Sequence, residues 1–194
     1  MKDPRAKAKR RPPVYTQEEI DAIFEFCDQG QKAMLATLLL AGLREEELCF
    51  LAWSDLDLRD VRNASIRVSG DGKQGFSPKD YEERVVPIQP ELAAMLKALP
   101  RKASLAFPTK TGGRQTHLLR MLKTIAKNAG VENATLHKFR HTYATRLLES
   151  GCDIVTVQRL MGHSDLDTTR QYLDPDEKLK RTAVGRLSIA VTVH

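Results

Sequence analysis

The chain has 194 residues, 41% of them hydrophobic and 29% charged, with a formal net charge of +6. This composition is typical of a globular domain and argues against a disordered chain. Its longest apolar run, residues 33–43, is far shorter than the roughly 20 residues that cross a bilayer. No secretory signal is visible, and three widely spaced cysteines, Cys27, Cys49 and Cys152, indicate reduced thiols in a cytoplasmic protein. The positive charge favours an anionic partner, of which nucleic acid is the commonest.

The first third of the chain is predicted to be helical. Residues 1–13 are rich in Lys and Arg and contain a Pro-Pro pair, which predicts a flexible basic arm or the remnant of a linker. Thr16 and Glu19 form a capping box that predicts a helix over about 16–29. Two more helices are predicted over 32–41, which is nearly all apolar and ends at Gly42, and over 45–52.

A small β-sheet is predicted in the middle of the chain. Residues 64–68 and 83–88 are predicted to form an antiparallel pair of strands, and the turn-rich connection between them carries Lys73 and Lys79. Residues 105–108 are predicted to be extended. Further helices follow over 90–99, 115–128, 136–150 and 154–161, with Thr135 and Asp153 as caps of the last two. The sequence therefore predicts one domain, residues 14–175, that is mainly α with a small antiparallel β-sheet (α+β).

The last sixty residues hold the side chains that suggest chemistry. His137 and Arg140 are three positions apart on a predicted helix, so they share one face. His163 follows a glycine and precedes Tyr172, on a short predicted helix, by nine positions. These residue types suit the attack of a phenol oxygen on a phosphodiester. A basic amphipathic tail, 176–194, closes the chain.

The chemistry of such an attack assigns a task to each candidate. Arginine forks match the non-bridging phosphate oxygens, and Arg44 and Arg140 could clamp both. His137 and His163 can donate to the same phosphate, and one of them can help to deprotonate Tyr172, whose ordinary pKa is about 10. A lysine on the mobile β-connection can protonate the leaving 5′-oxygen. No metal is required, because cationic side chains stabilise the same charge, and no cofactor is predicted.

Each of these residues also has an ordinary structural interpretation. A His-x-x-Arg pair is often a surface pair, and Arg44 could be an exposed arginine at a helix start, paired with a glutamate. A tyrosine in a carboxy-terminal helix commonly packs with its hydroxyl in water. The joint occurrence of all of them in order, on a basic chain, favours the catalytic interpretation.

Three segments carry a resemblance to a known family. AGLREEEL, LHKFRHTYAT and LMGHSDLDTTRQYL, at residues 41–48, 136–145 and 160–173, resemble the arginine, histidine–arginine and tyrosine boxes of the tyrosine recombinase (phage integrase) catalytic domain. PKDYEERVVPI resembles the strand-turn-strand of its catalytic lysine, and spacing to Arg84 favours Lys79 over Lys73. The resemblance covers about residues 14–173 and implies these roles: Arg44, Lys79, His137, Arg140 and His163 as catalytic residues, Tyr172 as nucleophile, and Glu47 as supporting acid.

This resemblance implies a site-specific recombinase that cleaves and rejoins double-stranded DNA through a 3′-phosphotyrosine, without ATP. It implies a tetramer on two duplexes, is compatible with a monomer when DNA is absent, and makes residues 176–194 a candidate docking segment between protomers. Two departures stand out. Glu45 and Glu46 add negative charge beside Arg44, and only a short arm precedes the first helix, where family members carry an N-terminal DNA-binding domain.

Three alternatives remain open from the sequence. The same residues could relax DNA in the manner of a type IB topoisomerase, by resealing the strand that was cut. The chain could be a catalytically silent module that only recognises DNA. It could also be a basic helical scaffold with no role on DNA, in which case the ordered boxes are a coincidence.

Overall fold

A computed structural model describes residues 12–69 and 83–162 of the chain. These ranges contain seven α-helices: α1 Gln17–Glu25, α2 Gln29–Ala41, α3 Glu45–Phe50, α4 Pro90–Lys97, α5 Leu118–Asn128, α6 Leu136–Glu149 and α7 Ile154–Met161. They also contain a 3₁₀ turn, Trp53–Asp55, and three strands: β1 Leu56–Asp57, β2 Ser65–Val68 and β3 Arg84–Pro87. The predicted mainly helical architecture with a small antiparallel sheet is confirmed. None of the helices within these ranges combines the length and apolarity needed to cross a membrane.

The sheet has the order β1-β2-β3, and both pairs are antiparallel. Ile66 in β2 lies opposite Leu56 in β1 and Val86 in β3. Ile66 and Val86 are fully buried, so one face of the sheet covers the core. β2 and β3 lie where the alternating pattern predicts strands. β1 was not predicted from the sequence, because a strand of two residues has too little pattern to be distinguished from a turn.

The boundary between the first two helices lies a few residues earlier in the sequence than predicted. The capping box of α1 is confirmed, since the Glu19 N–H donates to Thr16 Oγ1 at 3.2 Å and the Thr16 N–H to Glu19 Oε2 at 2.9 Å. However, α1 ends at Glu25 and α2 already begins at Gln29. The reason is a second capping box, in which Asp28 and Gln31 each accept a hydrogen bond from the other's backbone N–H, at 2.8 and 2.9 Å.

The helix α2 forms the centre of the core. Nearly all of its side chains from Ala33 to Ala41 are buried, and it packs against α3, α4 and α6. It ends at Gly42, as predicted, with a left-handed φ of 63°. The ring of Tyr143 on α6 packs against this turn, so Arg44, two residues after Gly42, lies beside α6.

The segment before α1 is attached to the start of α6. The Tyr15 hydroxyl donates to the Thr135 carbonyl at 3.0 Å and accepts from the Thr135 N–H at 2.9 Å. The Tyr15 N–H donates to Thr142 Oγ1 at 2.9 Å. Lys138 lies over the Tyr15 ring, 4.2 Å from its centroid, and bonds both Glu19 carboxylate oxygens at 3.1 Å. These contacts fix the register of α6 relative to the rest of the core.

Candidate active site at the end of α7

Three arginines meet at the carboxy-terminal end of α7. The last carbonyls of a helix have no partner within it and carry the negative end of the helix dipole, so they attract cationic donors. Each of three successive carbonyls here accepts from a different arginine: Leu160 from Arg84 Nε at 2.9 Å, Met161 from Arg140 Nη2, and Gly162 from Arg44 Nη2 at 2.8 Å. The end of α7 therefore gathers side chains that are far apart in the sequence.

The carboxylate of Glu47 lies between two of these arginines. Arg84 binds it with both nitrogens of its fork, Nη1 to Oε1 at 2.9 Å and Nη2 to Oε2 at 2.7 Å. Arg44, the N-cap residue of α3, donates its Nη1 to Oε1 at 2.9 Å and its backbone N–H to Oε2 at 2.8 Å. Burial raises the pKa of Glu47, but the hydrogen bonds and charge of Arg84, with smaller help from Arg44 and Arg140, outweigh it and lower the pKa. Glu47 is therefore ionised.

Arg140 and His137 project from the same face of α6. Arg140 is only 2% exposed and also donates its Nη1 to the carbonyl of Gly42, so it ties the end of α2 to the end of α7. His137 is half-buried. Its pKa is lowered, first by burial and then by the charges of Arg140 and Arg44. The neutral imidazole therefore predominates at neutral pH and can both donate and accept.

A cavity of about 210 Å³ opens where these residues meet, with this lining: Leu43, Arg44, Glu45, Glu46, Leu136, His137 and Arg140. Three residues predicted to bind phosphate, Arg44, His137 and Arg140, thus share one cavity. Its cationic donors suit an anion with several oxygens. Glu45 and Glu46 form part of the wall, so the extra negative charge noted in the sequence lies at the site itself.

Other predicted site residues lie outside the described ranges. These are the nucleophile candidate Tyr172, His163, and both lysine candidates, Lys73 and Lys79. In the sequence, His163 directly follows Gly162 at the end of α7. Within the described ranges, no three His, Cys, Asp or Glu side chains lie together in a way that could hold a metal ion.

Two residues at the site had no assigned role from the sequence. Arg84 was used in the sequence interpretation only for its spacing to the candidate lysine. In the structure its exposed fraction is 8%, and it lies at the centre of the arginine cluster. Its signal was its alternation with buried Val86 in β3, which places an arginine on the inward face. His141 contacts the His137 ring edge-on, with centroids 4.3 Å apart. Burial, then His137 and Arg140, lower the pKa of His141 to about 4.

A basic surface on α5 lies next to the cavity. Its three exposed side chains, Arg120, Lys123 and Lys127, follow helical spacing and will be called the α5 basic surface. They line an open depression of about 750 Å³ together with Glu45, which also borders the small cavity. The opposite face of this helix is buried and carries Leu118, Leu122 and Ile125. The spacing of the three basic residues can be read from the sequence.

The arrangement of helices, sheet and converging cations is the fold of a tyrosine recombinase catalytic domain. The structure of the Tn1549 transposon integrase in complex with a circular intermediate DNA aligns with 93% of this chain and 67% of its own, at 25% identity and a TM-score of 0.74. The chain belongs to the phage integrase family, whose model matches residues 13–178.

Two proteins with similar sequences are tyrosine recombinases. Tyrosine recombinase XerA of Pyrococcus horikoshii is 30% identical over 203 residues, which cover 100% of this chain and 67% of that protein. Tyrosine recombinase XerD of Oceanobacillus iheyensis is 32% identical over 180 residues, covering 86% of this chain and 59% of that protein. The chain thus spans about two thirds or less of the length of these relatives.

Proposed function

We propose that this chain is the catalytic part of a site-specific DNA recombinase, or integrase, that cuts and rejoins strands through a covalent bond between Tyr172 and a 3′-phosphate. One observation carries the proposal: Arg44, His137 and Arg140 share a single cavity beside the end of α7. The chain continues from that helix end directly into His163. Membership of a family with relatives named tyrosine recombinases supports the same activity.

In the proposed reaction, the Tyr172 oxygen attacks the scissile phosphorus and loses its proton to a histidine of the site. The bond from phosphorus to the 5′-oxygen breaks, and that oxygen takes a proton from Lys79, with Lys73 as the alternative donor. A 5′-hydroxyl of a partner strand then attacks the phosphotyrosine and releases Tyr172. The number of phosphoester bonds is unchanged at each step, so the reaction needs no ATP.

The described residues would stabilise the phosphorane between these steps. Its non-bridging oxygens gain charge as the phenol attacks, and preorganised cations are most effective at that point. Arg44 and Arg140 supply fixed positive charge, since an arginine stays protonated at any working pH. His137, neutral at rest, donates a hydrogen bond to the same oxygens or accepts the proton of the nucleophile.

Double-stranded DNA is the proposed partner. The α5 basic surface adjoins the cavity and offers contacts to neighbouring phosphates, and the related Tn1549 integrase structure is a DNA complex. Action on two duplexes would use four protomers, with residues 1–13 as a basic arm and 176–194 as a docking segment between neighbours. The proposed substrates are phage, plasmid or transposon DNA. An enzyme that acts on such DNA would work in the cytoplasm.

The decisive experiment needs no known target site. A pool of duplexes with randomised sequence and a nick near the centre is incubated with the protein in EDTA, and protein–DNA adducts are isolated and sequenced. The short fragment between the cleavage point and the nick, which carries the new 5′-hydroxyl, can then dissociate. Because it cannot reseal the strand, the covalent intermediate accumulates. We expect an adduct with a recovered consensus, and none from Tyr172→Phe. An adduct that persists in this variant would remove Tyr172 as nucleophile.

The same material separates the alternatives. Exchange between two recovered duplexes identifies a recombinase, whereas relaxation of a supercoiled plasmid without exchange identifies a topoisomerase-like enzyme. Specific binding without any adduct identifies the silent module. Lys79→Ala should abolish cleavage and Lys73→Ala should not; the reverse outcome moves the general-acid role to Lys73.

The contribution of the α5 basic surface is measured separately. Replacing Lys123 and Lys127 with Gln removes two phosphate contacts and should flatten the dependence of log affinity on log salt by roughly 2 units. Lys97→Gln on α4 is the matched control, because it removes an exposed lysine from another helix. An unchanged slope in the double variant would exclude this surface as a DNA contact.

A further inference from the structure

The two arginines beside Glu47 hold it in different ways. Arg84 engages both carboxylate oxygens through its fork, at 2.9 and 2.7 Å. Arg44 gives only one side-chain nitrogen to the carboxylate, while its other terminal nitrogen bonds the carbonyl of Gly162. The bidentate pairing is the stronger one, so Arg84 rather than Arg44 is the main counter-ion of Glu47.

This asymmetry matters for the charge that the cavity presents. The Glu47 side chain is 1% exposed and that of Arg84 7%, whereas the Arg44 side chain is 23% exposed and lines the cavity. A buried carboxylate needs a cationic partner. Since Arg84 meets that need from inside the protein, Arg44 is not the main counter-ion of Glu47, and part of its guanidinium group faces the cavity.

Without Arg84, the same carboxylate would have Arg44 as its nearest partner. Arg44 already shares two hydrogen bonds with Glu47, through its side chain and its backbone N–H. If both terminal nitrogens of Arg44 bonded Glu47, the guanidinium fork would face the carboxylate and turn away from the cavity. An incoming phosphate would then have to compete with a carboxylate for Arg44.

Arg84 also fixes the other side of the cavity. Its Nε donates to the carbonyl of Leu160, and its guanidinium packs against Gly162, where an added Cβ would come within 2.7 Å of Arg84 Nη1. Gly162 has a left-handed φ of 60° and its carbonyl is the one that Arg44 binds. Arg84 thus holds both groups that orient Arg44, the Glu47 carboxylate and the end of α7.

We propose that Arg84 is a positioning residue of the strand-cleavage site: it neutralises Glu47 and secures the end of α7, so that Arg44 presents its charge to the scissile phosphate. This assignment rests on the proposed function for its effect on cleavage. Arg84 should also support the binding of a free phosphate anion in the absence of DNA.

The test compares variants of the whole chain on a duplex recovered from the randomised pool. Arg84→Met should slow adduct formation at saturating DNA by about 100-fold, the scale expected when a reacting group is misplaced by about 1 Å. Arg84→Lys keeps the charge but not the fork, so it should lose less. The informative variant is Arg84→Met combined with Glu47→Gln, which removes the carboxylate that would capture Arg44. It should cleave faster than Arg84→Met alone.

Arg59 provides a matched control. It also binds a carboxylate with two nitrogens, those of Asp57 at 3.0 and 2.6 Å, but its side chain is 90% exposed. Arg59→Met should cleave like the unaltered protein. Urea unfolding of every variant establishes the fraction folded, and rates are compared per folded molecule.

A second measurement titrates inorganic phosphate without DNA and follows the ring protons of His137 by NMR. Arg84→Met should weaken phosphate binding, and the added Glu47→Gln should restore it. A double variant that is no better than Arg84→Met in either assay would overturn the assignment, because a purely structural arginine predicts additive damage. Arg84-dependent phosphate binding without any DNA adduct would sustain the assignment of Arg84 and refute the proposed recombinase.

Discussion

Gly42 offers the sharpest test of how the site is built, because two independent constraints act on it. Its φ of 63° lies in the left-handed region. A Cβ at this position would lie 2.2 Å from Cδ1 and 2.6 Å from Cε1 of Tyr143, both atoms of a rigid ring. The carbonyl of Gly42 also accepts a hydrogen bond from Arg140. Gly42→Ala should therefore damage both the fold and the candidate active site.

The magnitude follows from the two constraints. The left-handed conformation costs an alanine roughly 1–2 kcal/mol. Forcing a methyl group into a packed site costs about 1–3 kcal/mol more. We therefore expect Gly42→Ala to destabilise the fold by roughly 2–5 kcal/mol. At about 2–4 °C per kcal/mol for a domain of this size, the melting temperature should fall by at least about 4 °C.

Gly130 supplies the control for the backbone contribution. Its φ of 70° is nearly the same, but nothing lies within 4 Å of an added Cβ. Gly130→Ala should cost only the roughly 1–2 kcal/mol of the left-handed conformation. Urea unfolding of both variants measures the difference directly. Equal destabilisation would mean that Tyr143 does not press on the turn, and normal cleavage per folded Gly42→Ala molecule would mean that the turn does not orient Arg140.

Three further predictions concern the residues around this centre. Tyr15→Phe removes the hydroxyl that bonds both backbone groups of Thr135. The free energy of unfolding, measured in urea, should fall by about 1–3 kcal/mol. A change near zero would mean that this contact does not stabilise the fold. Glu45→Gln removes a carboxylate from the wall of the proposed phosphate-binding cavity and should tighten duplex binding at low salt. Glu91→Gln on α4 is the control and should not change the affinity. Because the pKa of His141 is lowered to about 4, the unfolded chain takes up its proton first, and stability should fall as the pH drops from about 6.5 to about 4. His141→Gln should flatten the curve of unfolding free energy against pH between about 6.5 and about 4. A curve of unchanged slope would mean that the pKa of His141 is not lowered in the folded chain.

Local signals predicted much of the fold. Thr16, Gly42, Thr135 and Asp153 each mark a helix end in the structure, because a cap is a bond between residues a few positions apart. The β2–β3 pair was also predictable from a local signal, the alternating pattern of residues in a strand. The boundary between α1 and α2 was missed although Asp28 and Gln31 form a capping box of the same kind, which shows that the signal was present.

The predicted site was a set of side chains, and its assembly could not be derived in the same way. Arg44, His137 and Arg140 were identified by residue type and order, and the structure places all three at one cavity. The two arginines are held there largely by backbone carbonyls, those of Gly42, Met161 and Gly162. Every residue carries a carbonyl, so the sequence does not mark the ones that will accept from an arginine 21, 98 or 118 positions away.

The role of Arg84 was hidden by sequence separation as well. Its partner Glu47 is 37 positions away, and the two lie in elements of different type, β3 and α3. A buried position in an alternating strand indicated that this arginine points inward, but the choice of partner depends on how the sheet meets the helices. Long-range pairing of this kind follows from tertiary packing, which local patterns do not specify.

The grouping of Arg44, Arg84 and Arg140 raises a physical question, since like charges repel. The carboxylate of Glu47 and the negative end of α7 offset part of that repulsion. Glu47 bonds both Arg84 and Arg44, so this carboxylate supplies one negative charge to two guanidinium groups. A phosphate that binds in the cavity would add negative charge beside Arg44 and Arg140. The anion should therefore stabilise the fold as it binds, because it binds the folded chain and not the unfolded one.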